Sequence, residues 1–226
     1  MSGPAAPHDY AAYHARRFAC LLELVEQLAP PGAAILEVGV GPFLGRLRAR
    51  HADVTSLGFP LGTETAMDGP HIPFDLEWTL QGRPIATGRR FDLVIFAEVV
   101  EHLNLPPEMP LAALRPVLKP DGRLIVQTPN AAALVKRLAL VAGRHPYDPL
   151  RASRDDPGHI REYTRAELLA ALGAAGFAVE RHAYASHFAR PPLTPTRPGR
   201  AVVRALQALV PAFRDGQTVV ARLAGA

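Results

Sequence analysis

Apolar positions in this chain recur at two periods, and the order in which those periods alternate predicts its architecture. Phe18, Leu21, Leu22, Val25 and Leu28 share one face at helical spacing, which predicts an amphipathic helix over residues 10–29 that Pro30-Pro31-Gly32 stops. Cys20 is expected on its apolar face as a buried, inert thiol. Residues 1–9 show no pattern. Ala33 to Val38 reads as a first strand, a helix then runs to about Arg50, and Val54-Thr55-Ser56-Leu57 is a short second strand. Between 58 and 90 the periodicity fades among Gly, Pro and Thr, and only a strand near Ile72 to Leu76 emerges. Phe91 to Ala97 is a near-continuous apolar run broken by one acid, as a parallel strand buried on both faces requires.

The same alternation continues beyond it. A helix is expected over Pro107 to Leu118, its end kinked or shortened by Pro116. Lys119-Pro120-Asp121-Gly122 has the composition of a turn, and Arg123 to Thr128 reads as the next strand. Residues 131–142 form a helix and 143–163 a long loop. Thr164 and Glu167 fit a capping box that opens a helix closed by Gly176. Phe177 to Tyr184 is a strand, Pro191 to Pro198 a proline-rich connection, Ala201 to Phe213 a helix and Gln217 to Leu223 a final strand. Seven strands in alternation with helices predict an α/β fold: a doubly wound, mostly parallel sheet with helices on both faces. A ligand site is expected at the carboxyl ends of the strands, near the topological switch point. The chain is expected to form one domain over 1–226, with a helical segment at 1–29, a core at 30–186, and the connection, helix and last strand at 187–226.

Composition narrows the class. With 226 residues, 48% hydrophobic and 20% charged, the chain has ample material for a core. Its net charge of +4 is spread over scattered arginines without a run of like charges, so no nucleic-acid partner is expected. The single cysteine excludes an internal disulfide and a cysteine metal cluster. There is neither a signal-type leader nor an apolar run long enough for a membrane span, so a cytoplasmic protein is expected, as a monomer or homodimer.

The segment Ile35-Leu36-Glu37-Val38-Gly39-Val40-Gly41-Pro42-Phe43-Leu44-Gly45 carries the chemistry: an apolar strand, an acid, glycines at alternate positions, then a helix. Such a loop lets backbone approach a nucleotide-type cofactor closely. A nicotinamide enzyme fits it less well, because the last glycine spacing is one residue too long and an acid ending strand 2 is missing. Together with Phe91-Asp92-Leu93-Val94-Ile95-Phe96-Ala97-Glu98-Val99-Val100-Glu101-His102 and Leu118-Lys119-Pro120-Asp121-Gly122-Arg123-Leu124-Ile125-Val126, the segment resembles the class I S-adenosylmethionine-dependent methyltransferases. Thr128-Pro129-Asn130, His159-Ile160-Arg161-Glu162-Tyr163-Thr164 and Ala175-Gly176-Phe177 look most like the small-molecule branch typified by quinone-biosynthesis O-methyltransferases. The likeness covers roughly residues 30–186. It implies a Rossmann-like methyltransferase fold, S-adenosylmethionine as cofactor, and methyl transfer to a hydroxyl oxygen of a small molecule. A methyltransferase-like fold that binds cofactor in a partner or regulatory role is the alternative.

The resemblance also implies site residues. Gly39 and Gly41 bring backbone amides to the methionine end of the cofactor, Glu37 fixes the loop, and Ala97 and Glu98 face its amino group. Asp92 is read as structural. The family's acid on the ribose hydroxyls falls here at about Gly58, and Glu64 from the following loop is a candidate substitute; an uncompensated loss is worth about 1.5–3 kcal/mol. Phe59 is a candidate for packing on the adenine and Asp75 for contacting its amine. His102, with Glu101 beside it, is the leading general base and His159 the second, with His145 a poor third. Arg161 and Tyr163 are candidates for binding substrate. No metal is expected, and Asp155-Asp156 is read as a solvated pair.

Overall fold

The computed structural model describes residues 13–59, 69–152, 158–186 and 197–225. Its sheet comprises β1 (Ile35–Val38), β2 (Val54–Gly58), β3 (His71–Pro73), β4 (Phe91–Ala97), β5 (Leu118–Pro129), β6 (Phe177–Ala185) and β7 (Gly216–Leu223), in the spatial order β3-β2-β1-β4-β5-β7-β6. The helices are α1 (Ala15–Leu28), α2 (Pro42–Arg48), α3 (Glu108–Leu114), α4 (Leu134–Val141), α5 (Arg165–Ala174) and α6 (Arg197–Leu209). The pairs from β3 to β5 are parallel, and β7 runs antiparallel to both β5 and β6. This is the expected doubly wound, mostly parallel seven-stranded sheet.

Period-two alternation along the central strands makes two cores. Val94 and Phe96 of β4, Leu124 and Val126 of β5, and Val219 and Ala221 of β7 pack with Leu111 and Leu114 of α3 and Leu168 and Leu172 of α5. Leu93, Ile95, Ile125 and Val220 point the other way, against Phe18, Leu21 and Val25 of α1 and Phe43, Leu44 and Leu47 of α2. Chain order runs outward from β1 to β3 and then returns to lay β4 on the other side of β1. The switch point therefore lies between the carboxyl ends of β1 and β4.

Local chemistry sets several boundaries, and some differ from expectation. Cys20 is exposed. At 3.6 residues per turn it lies about 200° around the helix from Phe18, away from the face that packs. Pro116 shortens α3, which ends at Leu114, and Pro211 stops α6 at Leu209, with Pro211–Phe213 forming a short 3-10 turn instead of continuing the helix. The turn expected at Lys119–Gly122 is a bulge inside β5: Phe91 pairs with Leu118 but Leu93 pairs with Arg123. Gly122 is required there, since an added Cβ would stand 2.9 Å from Leu118 Cγ and 3.0 Å from the carbonyl oxygen of Phe91. Only His71–Pro73 of the strand expected near Ile72 to Leu76 is extended; Leu76–Gln81 is a 3-10 helix. The Thr164–Glu167 capping box forms as expected.

Asn130 joins β5 to the chain before β7. It is fully buried, its Nδ2 donates to the carbonyls of Ala212 and Arg214 at 2.9 and 2.8 Å, and its Oδ1 accepts from the Ala132 amide at 3.0 Å. Asn130→Ala removes three hydrogen bonds to part-buried backbone groups and is expected to lower stability by about 1–3 kcal/mol in urea unfolding. A change below about 0.5 kcal/mol would show that these bonds contribute nothing net.

Candidate active site

Gly39 follows β1 with φ +106°, and an added Cβ would meet Val99 Cγ2 at 3.2 Å, so both backbone and space demand glycine. Gly41 is different: its backbone is extended, and an added Cβ would have nothing within 4 Å. The loop is tied down by the Gly39 amide, which donates to Leu57 at 2.7 Å. At the position of the absent strand 2 acid, a Cβ on Gly58 would stand 3.2 Å from Val40 Cγ2, so that exposed side chain would have to shift by a few tenths of an ångström to admit one. Glu64 lies outside the described residues. Phe59 is 41% exposed at the end of β2, while Asp75 is buried and caps the 3-10 helix by accepting from the Glu77 amide at 2.9 Å.

Acids gather at this switch point. Glu37 is buried on β1 and its Oε2 has no hydrogen-bond partner. Burial pushes its carboxyl up from 4.5 to about 8, with Arg48 and Arg17 pulling partly back. Ala97 ends β4, and Glu98 after it has φ +57°, the one non-glycine residue in the left-handed region among those described. The Glu98 amide donates to Gln127 at 2.8 Å, while its Oε1 is enclosed without a hydrogen-bond partner. Burial, then the charge of Glu101, drives that carboxyl well above its ordinary range. Glu101 has no exposure; its Oε2 accepts from Thr128 Oγ1 at 3.0 Å and its Oε1 accepts no hydrogen bond. Its carboxyl is raised to about 7, chiefly by burial. Asp92, read as structural, accepts from the Ala34 amide at 2.9 Å and from Lys119 at 2.8 Å, which ties β4 to β1 and to the β5 bulge.

The two histidines meet although a long loop separates them in sequence. His102 ends a 3-10 turn, Val100–His102, and its ring lies edge-on to His159 with centroids 4.9 Å apart. Gly158 and not Glu101 orients His102: Nδ1 donates to the Gly158 carbonyl at 2.9 Å, whereas Nε2 is 4.0 Å from Glu101 Oε1. His159 Nδ1 donates to Glu162 Oε1 at 2.9 Å, and Lys136 pairs with the other Glu162 oxygen. The segment is held over the site by the amides of Ile160 and Arg161, which donate to the Glu101 carbonyl at 2.8 and 3.2 Å.

Three participants escaped the sequence reading. Lys136 and Glu162 form the support behind His159, and the only trace was the three-residue spacing of His159 and Glu162. Arg17 is 4% exposed on α1 and acts electrostatically on Glu37, Glu98 and Glu101. A cation beside Phe18 on an apolar helix face was its signal. Conversely, Arg161 is tied to Glu167 at 2.7 Å and Tyr163 is buried in the core. Both line a cleft with Leu103–Glu108 and one face of α5, and neither histidine belongs to that lining. His145 is on the surface with Tyr147, and Asp155-Asp156 lies outside the described residues.

Residues 11–182 match the sequence model of a family described as a methyltransferase domain. The chain belongs to that family. No curated protein matches this methyltransferase. Among solved structures, a methyltransferase from Archaeoglobus fulgidus described as S-adenosylmethionine-dependent is 14% identical over 94% of this chain and 96% of its own, with a TM-score of 0.60. A Burkholderia thailandensis 1,6-didemethyltoxoflavin N1-methyltransferase, solved with that compound and S-adenosylhomocysteine, is 17% identical over 99% and 93%, at 0.54. The cyclase SpnF is 18% identical over 92% and 82%, at 0.57. At these identities the structures establish a shared fold. The cofactor that goes with the family is S-adenosylmethionine. No helix among the described residues is long and apolar enough to cross a membrane.

Glu37 gives the methyltransferase a pH signature. Its folded pKa lies above its unfolded value, so without ligand its share of the stability is full below the ordinary carboxylate range. That share is lost as pH rises through about 8. Glu37→Gln is always neutral. Between pH 5 and 8 its stability relative to the parent is expected to grow with pH, by up to about 1.4 kcal/mol per unit. Urea unfolding of both proteins checks this, and a gap that stays flat would refute it.

Proposed function

We propose that this methyltransferase transfers a methyl group to a hydroxyl oxygen of a small molecule, seated against the His102–His159 pair. The observation that carries the reading is that pair at the mouth of the switch point, with buried Glu101 between it and β5. A neutral amine already has the lone pair it attacks with, whereas a hydroxyl must shed its proton on attack. Titratable side chains gathered at the acceptor position therefore favour oxygen over nitrogen. The likeness of His159–Thr164 and Thr128–Asn130 to the quinone-biosynthesis branch supports an aromatic hydroxyl.

The cofactor fits the residues present. Enclosed Glu37 and Glu98 oxygens without partners suit a cationic ligand rich in hydroxyl and ammonium donors, and the space over Gly41 suits its close approach. In this reading Glu37, Gly39, Gly41, Ala97 and Glu98 hold the cofactor, with Phe59 and Asp75 toward the adenine. When bound, it supplies a sulfonium methyl that is already activated, so the chain has only to align the acceptor and remove its proton.

Two measurements test this. Gly41→Val is expected to melt like the parent, because its Cβ meets nothing in the free protein, yet to lose S-adenosylhomocysteine binding in calorimetry. Undiminished binding would remove Gly41 from the site. With S-adenosylmethionine and a panel of phenols and matched anilines, S-adenosylhomocysteine should form with the phenols. His102→Ala should lower that turnover by roughly 10²-fold or more while cofactor affinity holds. Turnover restricted to amines, or a variant within about threefold of the parent, under about 0.7 kcal/mol of barrier, would overturn the reading.

A further inference from the structure

We propose that His71 is a positioning residue for the adenosine half of the cofactor. It holds the exit of β2 through the Phe59 carbonyl and so sets where the Phe59 ring meets the adenine. The proposal rests on the reading above that turns Phe59 toward the adenine. It involves neither the acceptor nor the histidine pair.

β3 is a three-residue edge strand, and its first residue, His71, stands in register with Ser56 of β2. Residues in register on paired strands face the same side of a sheet. Val54, two residues before Ser56, packs in the core with α1 and α2, so Ser56 and His71 share that side. Ser56 is fully buried, and its Oγ lies 2.9 Å from His71 Nδ1. The Pro70 carbonyl, at 3.4 Å from the same hydroxyl, is the more distant acceptor. The other nitrogen of the half-buried ring, Nε2, is 3.3 Å from the carbonyl oxygen of Phe59, the residue just past β2. A carbonyl can only accept, so Nε2 carries a proton. In the neutral ring Nδ1 then has the lone pair and accepts from Ser56 Oγ. A buried hydroxyl thus fixes the ring, and the ring fixes a carbonyl three residues further on.

Two observations give this chain of bonds a purpose beyond bracing the edge strand. First, the backbone before Phe59 is already held without it. The Leu57 carbonyl accepts from the Gly39 amide and the Gly58 carbonyl from the Phe74 amide, both at 2.7 Å. What the imidazole adds is a hold on the next carbonyl, past the end of the strand. Second, the Phe59 ring is 41% exposed, at the carboxyl end of β2 where the ligand is expected. With no acid at 58 to take the ribose, the grip on adenosine falls to the residue that follows. A ring already in place binds without the cost of being ordered, which is what the bond to His71 supplies.

The test is calorimetry on the full chain with two ligands: S-adenosylhomocysteine, and 5′-methylthioadenosine, which keeps the adenosine half and lacks the amino-acid half. His71→Ala should weaken both by the same factor, about fivefold or more. His71→Gln has an amide nitrogen that can reach the Phe59 carbonyl and should stay within about twofold of the parent, whereas the shorter His71→Asn can serve Ser56 alone and should weaken like alanine. A double-mutant cycle decides the role. In a Phe59→Ala background no ring remains to be placed, so His71→Ala should cost less than about twofold more. A histidine that only braces the edge strand costs the same in both backgrounds. Equal loss in the two backgrounds, or loss of S-adenosylhomocysteine with 5′-methylthioadenosine spared, overturns the proposal. Should His71→Ala fail to fold, the glutamine and asparagine variants are compared, and equal affinities overturn it. A parent that binds neither ligand overturns the cofactor reading and this proposal with it. A parent that binds both, matched by His71→Ala, overturns this proposal alone.

Discussion

Enclosed negative charge is the constraint on which the site depends. The switch point brings Glu37 of β1 together with Glu98 and Glu101 beyond β4, each with one oxygen that accepts no hydrogen bond. Burying an unpaired carboxylate costs on the order of several kcal/mol, and proteins meet that cost by protonation or with a cation. Arg17, Arg48 and Lys136 supply part of the compensation and leave the carboxyls of Glu37 and Glu101 raised to about 8 and about 7. In the free protein these carboxyls therefore hold their protons to higher pH than exposed ones do.

The sheet was legible in the sequence because burial on both faces writes itself as unbroken apolar runs, as in Phe91–Ala97, and because helices between such runs leave little topological choice. The glycine loop was legible for a related reason, since Gly39 is needed for its backbone. What escaped was nonlocal. Arg17 reaches the acids from α1, Lys136 reaches Glu162 from α4, and Gly158 takes the orienting role that adjacency suggested for Glu101. Neighbours in sequence that share a helical turn point apart, so the partner of His102 had to come from another element. The β5 bulge and the exposed Cys20 are errors of a smaller kind, in which composition was read correctly but the pairing register or helical angle was not.

The cover over the site is anchored through backbone. Amides at 160 and 161 grip the Glu101 carbonyl, and residue 163 bridges to Asn130, which in turn holds the approach to β7. His159 thus depends on contacts that make no chemical contribution themselves. Rigid support of this kind is what keeps two imidazoles within reach of each other across a long loop.

The placement of β7 has a consequence for how the chain reaches its fold. Gly216–Leu223 pairs with β5 on one side and β6 on the other, so a segment made after both must slot between them. Until it emerges from the ribosome, β5 and β6 each present an open edge of unpaired amides and carbonyls. The nascent methyltransferase is then at its most prone to pair with another chain, and its last strand acts as the closing element of the sheet. An interruption between residues 185 and 216 leaves β6 cut off from β5, with the cores on both faces opened along β5.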